Sequence, residues 1–591
     1  MKKFFGVCLI LAAAMAWAGC GTDGGGQDNG VADVHEGDTS LPDVVGEDVT
    51  DDARGEDVQT SDNVEPTDVV LPPDSDDVST DTTVVSNAVN YLVIASDSLI
   101  DSANELAAYR ESTGYRTQVV TRSDVLGSEF ASTSGWENMA RGRIRQAWNE
   151  LDGAGTLFVV LVGDSVKVDA EGFTRPLPVS QCENVLTDIC YTDNRIADMD
   201  GDNVPDVAIG RITASNNEEV RSYIQKLQAH ESSYVPGLWN RRVSLYIGEA
   251  GFSPEIDSLL ETFTFMGLDR VSHAFDIIGA YDNEDSDYFY TPFHDKVVEL
   301  INAGSLMTVY IGHGNTQWTQ GLEYGQIDEI DCQNRLPVLV LLACLAGDFA
   351  NPTKETLSEG LLHHPDGPIV VFASSDESHP VGNAVLAYEL TRVGLAGRPA
   401  TVGELFMQLK DAGINHTDEF REMIDQASIA YGEEGCDDPA LLYWQHNDLY
   451  NLLGDPAAPV KYPHGVVQDI QVDGTMAARS LTVSGAVPGI QSGTAYVSIE
   501  VKRDEYVGSL TPRPEEDDPS WESTVQSNWE VMNNKTFAAS TVDVTDGVFT
   551  ANLTWETNVG GGDRYIKVYA WDGTAPGDGT TDAIAEYRIT K

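Results

Sequence analysis

The sequence predicts an α/β protein, built as two mostly parallel α/β subdomains followed by a C-terminal all-β, immunoglobulin-like sandwich. Three observations carry that prediction. Apolar, β-branched runs such as "NYLVIASD" (Asn90 to Asp97), "LFVVLVGD" (Leu157 to Asp164), "MTVYIGHG" (Met307 to Gly314) and "PVLVLLACLAGDF" (Pro337 to Phe349) read as strands buried on both faces, as in a parallel sheet. Segments with helical spacing, around Ser98 to Ser112 and Trp136 to Leu151, alternate with them, so helices cover the sheet faces. From about His464 the texture changes to short alternating segments, "TAYVSIEVKR" and "DRYIKVYAWD" among them, separated by Gly, Pro, Asp and Asn with no long helical pattern; that is the signature of a sandwich.

A chain of 591 residues exceeds what one core can organise, and at ~150 residues per domain three or four units are expected. The formal net charge of -60 argues against nucleic acid or anionic lipid as a partner, since both would be repelled. Residues 1–20 read as an export signal, with two lysines, an apolar core too short to span a bilayer, and small residues before Cys20. The ending Trp17-Ala18-Gly19-Cys20 resembles a bacterial lipobox. It implies lipidation of Cys20, and Gly21 fits sorting to the outer membrane or cell surface of a Gram-negative-type bacterium. The alternative is a plain secretory peptide with an incidental cysteine.

Residues 21–88 are rich in Asp, Gly, Thr, Val and Pro, and Arg54 is the only lysine or arginine up to Ser86. Such a segment cannot bury enough apolar surface to fold and reads as an extended acidic stalk. The first α/β unit is expected over 89–240 and the second over 241–462, joined near Gly237, with the sandwich over 463–591.

Of seven cysteines, Cys8 leaves with the signal and Cys20 is assigned to lipid. Cys182, Cys190, Cys332, Cys344 and Cys436 remain. An odd number in an oxidising compartment implies a free or intermolecular thiol. Cys182 and Cys190 are close enough to close a small loop, and Cys332 could pair with Cys436.

The free thiol that matters is placed by the strands. His313 and Cys344 each end an apolar run, and in an open α/β sheet the ligand crevice lies at the carboxyl ends of the strands. A thiolate attacks a carbonyl only if a base deprotonates it and its leaving group can be protonated, so an imidazole within reach is required. Gly314 would let the backbone approach a substrate and offer one N–H to a developing oxyanion, with the Cys344 N–H as the second. Each residue alone would read more simply as core; together they read as a cysteine nucleophile with its base.

These residues resemble a family. "YIGHG", "LLACLAGDF", the closing "YNLLGDPAAPV" (Tyr450 to Val460) and, in the first half, "LVGD" and "DGDNVPDVAIGR" occur in the order of the gingipain-type cysteine peptidases. The resemblance implies a caspase-like fold across roughly Asn90 to Tyr462, a cysteine endopeptidase acting on proteins or peptides, and no cofactor for catalysis. By it, His313 is the general acid/base, Cys344 the nucleophile and Gly314 an oxyanion donor. Glu249 in "YIGEAG" matches the family's acidic residue beside the histidine, where a carboxylate would hold the imidazole tautomer. For substrate choice the resemblance points to Asp257, and to the wall "SSDESHPVG", where His379 takes the place of an aromatic anchor and Asp376 and Glu377 could make the pocket acidic. Transpeptidation through the same acyl-enzyme, as in some relatives, and a non-catalytic adhesion or scaffold lipoprotein are the competing functions.

One further motif stands apart. "DMDGDNVPD" places Asp198, Asp200, Asp202 and Asp206 within nine residues, and alternate carboxylates in a tight loop converge on a hard cation. Structural calcium is the expectation. The spacing is not that of an EF-hand, and the alternative is an acidic surface turn.

Overall fold

Ten short strands stop where their apolar runs stop: β1 Tyr91–Ala95, β2 Thr117–Thr121, β3 Phe158–Val162, β4 Ala208–Ile212, β5 Arg242–Ile247, β6 Asp276–Tyr281, β7 Met307–Ile311, β8 Val338–Leu342, β9 Val370–Ser374 and β10 Tyr450–Leu453. In the computed structural model the described residues are 88–127, 133–165, 177–232, 236–249, 273–431, 438–556, 562–572 and 582–589. Cys20, nearly all of residues 21–88, Asp257 and Cys436 lie outside them.

The ten strands of the two α/β halves form one sheet, in the order β2-β1-β3-β4-β10-β9-β8-β7-β5-β6. Every neighbouring pair is parallel except β9 with β10. Side chains alternate across this sheet: Tyr91, Val93 and Ala95 enter one core, Leu92 and Ile94 the other. That division follows from the two-residue period of a strand.

The two halves meet at β10, which lies between β4 and β9. The β4–β10 pairing has a single register pair, Leu453 with Arg211, so other contacts must hold the seam. The residues just after β10 supply them. Asp455 is fully buried and accepts from Tyr91 Oη and Arg110 Nε, both at 2.8 Å, and from the Ala457 N–H at 2.9 Å. Arg211, also fully buried, holds Asp193 by two parallel bonds of 2.7 Å.

The C-terminal unit is an eight-stranded β sheet running from Gly465–Val466 to Asp582–Ile589, and its inward residues share one core that includes Val483, Val497, Ala551 and Val568. The alternating segments predicted the β character of this domain, though as a sandwich of two sheets rather than one continuous sheet. They did not predict the helix within it, Trp521–Asn533. That helix lies on β6, the edge strand of the large sheet. Asn533 accepts from the Gly279 N–H at 2.9 Å and donates to its C=O at 3.0 Å, while Trp529 Nε1 donates to the same carbonyl at 2.8 Å. An unpaired strand edge invites further strand addition, and here side chains occupy it. No helix among the described residues is long and apolar enough to cross a membrane.

Candidate active site

Ile247, Ile311 and Leu342 stand side by side in β5, β7 and β8. Two residues beyond each, at the carboxyl end of the sheet, stand Glu249, His313 and Cys344. One register row therefore delivers all three. Beyond the ladder, the Gly248 N–H donates to the Ile311 C=O at 2.9 Å and the Gly312 N–H to the Leu342 C=O at 3.3 Å, so the three chains stay together as they leave the sheet.

Two glycines make this convergence possible. A Cβ on Gly314 would lie 2.9 Å from Ala343 Cβ and 3.0 Å from the Cys344 carbonyl oxygen, and one on Gly248 would lie 1.9 Å from the end of the Gln320 amide and 2.8 Å from Tyr310 Oη. Only a residue without a side chain permits such approach. Tyr310, fully buried, donates its hydroxyl proton to the His313 carbonyl at 2.6 Å and accepts from the Gln320 N–H at 3.2 Å. With its amide oriented to satisfy both ends, Gln320 donates to the Glu249 carbonyl at 3.3 Å and accepts the Glu249 N–H at 3.1 Å. Tyr310 and Gln320 thus tie the histidine and glutamate chains together through the backbone.

Cys344 is buried and His313 half-buried. The residue after the cysteine, Leu345, has φ +57°, a left-handed conformation that costs a branched-chain residue energy and is held only by its surroundings. Its N–H donates to the Asp376 carbonyl at 2.9 Å. Consequently the loop after β9 lies directly against the thiol. Ser378 in that loop reaches Sγ: its N–H donates at 3.5 Å, its hydroxyl oxygen lies 3.9 Å away, and its carbonyl accepts from the thiol at 3.7 Å.

Glu249 is exposed. Next to it, at the end of β6, Asp282 has its carboxyl pushed above the usual range by burial and then by the Glu249 charge. Asp282 ends another apolar run, "IIGAYD", and that break is the local signal that marks it. Ser378 is marked only by its place in the wall "SSDESHPVG", and no local pattern marks Tyr310 or Gln320. Their roles depend on which chains neighbour one another.

The pocket residues divide. Asp376 stays in the wall beside Cys344, its carboxylate accepting from Thr187 Oγ1 and from the Glu377 N–H, both at 2.8 Å. Burial, and after it the Asp376 charge, raises the Glu377 carboxyl above its ordinary value. His379, expected as a pocket wall, is instead turned into the interior: it is 3% exposed, its Nδ1 accepts the Val381 N–H at 3.2 Å to cap the helix Pro380–Leu390, and its own N–H donates to His446 Nε2 at 3.0 Å. A helix start needs such a cap, and the proline at its first position leaves the histidine to supply it.

Burial lowers His379 to about 4, and burial with the adjacent His379 lowers His446 to about 3. Both are neutral when folded but ionise near pH 6.5 when unfolded, so the unfolded state binds more protons below that pH. Stability is therefore full above pH 6.5 and should fall as pH drops, by ~1.4 kcal/mol per pH unit for each histidine, levelling off below about 4 and about 3 respectively. Urea midpoints at pH 7.5, 6 and 5 check this; a flat profile would exclude it.

Cys182 and Cys190 form a disulfide and face each other across a hairpin, Ser180–Asn184 with Asp188–Thr192. The turn of that hairpin holds the loop beside Cys344, because Asn184 Nδ2 donates to the Glu377 carbonyl at 2.9 Å. The pairing suggested for Cys332 is not formed: Cys332 is a free, buried thiol, enclosed by apolar neighbours that raise it to about 12.

In the acidic loop, carboxylate oxygens of Asp198, Asp200 and Asp206 lie within 4.8 Å of one another. Asp202 is not in this group; its carboxylate accepts the Val204 N–H at 2.9 Å. Burial first, and the neighbouring aspartates after it, raise the Asp206 carboxyl.

A buried thiol and a half-buried imidazole thus stand two residues beyond one register row, at the carboxyl end of a mostly parallel sheet. The family model of peptidase family C25 matches residues 85–461, and the chain belongs to that family. It is accordingly a cysteine-type peptidase, with proteins or peptides as substrates. Among solved structures, the Arg-specific cysteine proteinase gingipain R (RgpB) is 17% identical with a TM-score of 0.46, over 85% of this chain and 98% of that one. A complex of the pro- and mature domains of Porphyromonas gingivalis RgpB is 16% identical with a TM-score of 0.46, over 84% and 99%. Dimeric latent PorU from the same organism is 13% identical with a TM-score of 0.32, over 85% and 42%. No curated protein matches the sequence.

Proposed function

We propose that the chain is an endopeptidase in which Cys344 attacks the scissile carbonyl and His313 takes the thiol proton and delivers it to the leaving amine. Water then hydrolyses the thioester. The observation that carries this reading is that Glu249, His313 and Cys344 each lie two residues beyond the register row of Ile247, Ile311 and Leu342. Glu249 supports the imidazolium, and the N–H groups of Gly314 and Cys344 receive the oxyanion. Asp376 and Glu377 beside the thiol favour a basic side chain before the cut. Hydrolysis of a mixed peptide library tests it: cleavage after Lys or Arg is expected, and no cleavage of any member, or preference for an acidic residue, would remove the reading.

In the same proposal, export and lipidation at Cys20 tether the enzyme to the cell envelope, with residues 21–88 as spacer. Calcium, held by Asp198, Asp200 and Asp206, is structural, supported by the mutual approach of their carboxylates. A chelator should lower the unfolding temperature by several degrees and added calcium restore it. In Asp206→Asn both responses should vanish; a chelator-insensitive parent would rule the site out.

A further inference from the structure

A buried thiol in apolar surroundings resists ionisation, because the thiolate loses its hydration. Cys332 shows this in the same fold, raised by burial to about 12. Cys344 is no more exposed than a core residue, at 6%, yet its chemistry requires the anion. Something beyond the imidazole must replace the lost water.

The groups around Sγ form an ordered chain. Tyr450 donates its hydroxyl proton to Asn383 Oδ1 at 2.6 Å. That bond orients the amide, so Asn383 Nδ2 donates to Ser378 Oγ at 3.0 Å. The Ser378 oxygen, already accepting, is left with its own proton to donate, and Cys344 Sγ lies 3.9 Å away. The Ser378 N–H donates to the same sulfur at 3.5 Å. All four side chains are buried, so the dipoles act where water does not screen them.

We propose that Ser378, oriented by Asn383 and Tyr450, stabilises the thiolate of Cys344 through its hydroxyl and its N–H. In the neutral state the thiol proton points to the Ser378 carbonyl at 3.7 Å. On ionisation that proton moves to the His313 imidazole, and the two Ser378 donors face the sulfur in its place. Ser378 touches the reacting atom and is a catalytic residue by contact; Asn383 and Tyr450 act through it as positioning residues. Charge-assisted hydrogen bonds are worth about twice neutral ones, which makes the hydroxyl worth roughly fivefold to tenfold in thiolate fraction at neutral pH.

This inference rests on Cys344 as the nucleophile, but its test does not need turnover. The rate of iodoacetamide alkylation at Cys344, followed peptide by peptide in a mass spectrometer between pH 5 and 10, reports the thiolate directly. In Ser378→Ala the profile should move to higher pH, with roughly fivefold to tenfold slower labelling at pH 7. Ser378→Thr should restore it. Tyr450→Phe removes one oxygen with volume kept and should shift the profile in the same direction by less, which preserves the test if Ser378→Ala does not fold. An unmoved profile in folded Ser378→Ala, or in Tyr450→Phe should the alanine variant fail to fold, overturns the proposal. Full proteolysis by Cys344→Ala would instead overturn the assignment of the nucleophile, whatever the labelling shows.

Discussion

Cys344→Ala should lower peptide hydrolysis by about 10³-fold or more while leaving the protein folded. Removing the nucleophile of an acyl-transfer site forfeits the covalent route, and only binding and oxyanion stabilisation remain to assist water. The substitution deletes a single sulfur atom from a site closed by small neighbours, Ala343 and Ala346, both fully buried, so the cavity it leaves costs little stability. The measurement is kcat/KM on the best library peptide together with the urea midpoint. Loss of activity with an unchanged midpoint supports the nucleophile, and retained activity eliminates it. His313→Ala should give a comparable loss, since groups that act as one unit are not additive.

Asp455→Ala should destabilise the fold by about 3 to 5 kcal/mol, because it strands a buried charge. Arg110 is 1% exposed and has two carboxylate partners, Asp455 and Glu231, each at 2.8 Å. With Asp455 gone, Glu231 alone remains, which places the expected cost toward the lower figure. Tyr91 Oη and the Ala457 N–H lose their acceptor in the same step, and each unsatisfied buried group adds its own penalty. The seam between the two halves of the sheet runs through these contacts, so activity should decline in parallel with stability. Equilibrium unfolding in urea decides the matter. A change under about 1 kcal/mol would mean that the motif "LLGDPAAPV" has some role other than joining the halves.

That motif illustrates how far the residues could be read. Its position near the end of the peptidase region was legible as a resemblance, yet nothing local indicates that its aspartate binds an arginine 345 positions away. His379 illustrates the opposite failure. Its place in the motif suggested a pocket wall, and the helix beginning at Pro380 took the ring as a cap. For Cys332 the odd cysteine count left a partner open, whereas the fold encloses the thiol among apolar groups. The regular alternation of the surrounding segments hides the helix Trp521–Asn533, whose purpose shows only where it meets the edge of another sheet.

From the sequence alone came the buried strands, the residues on which they end, the α/β class with its β domain, and a histidine and a cysteine as the candidate pair. Those features are local: hydrophobic periodicity and the points where it breaks are written in neighbouring residues. Tertiary structure alone decided that Glu249, His313 and Cys344 each follow one register row by two residues, that both halves form a single sheet, and that Ser378 reaches the sulfur. Strand order and register are set by contacts between residues far apart in the chain, whose energies no short window of sequence contains.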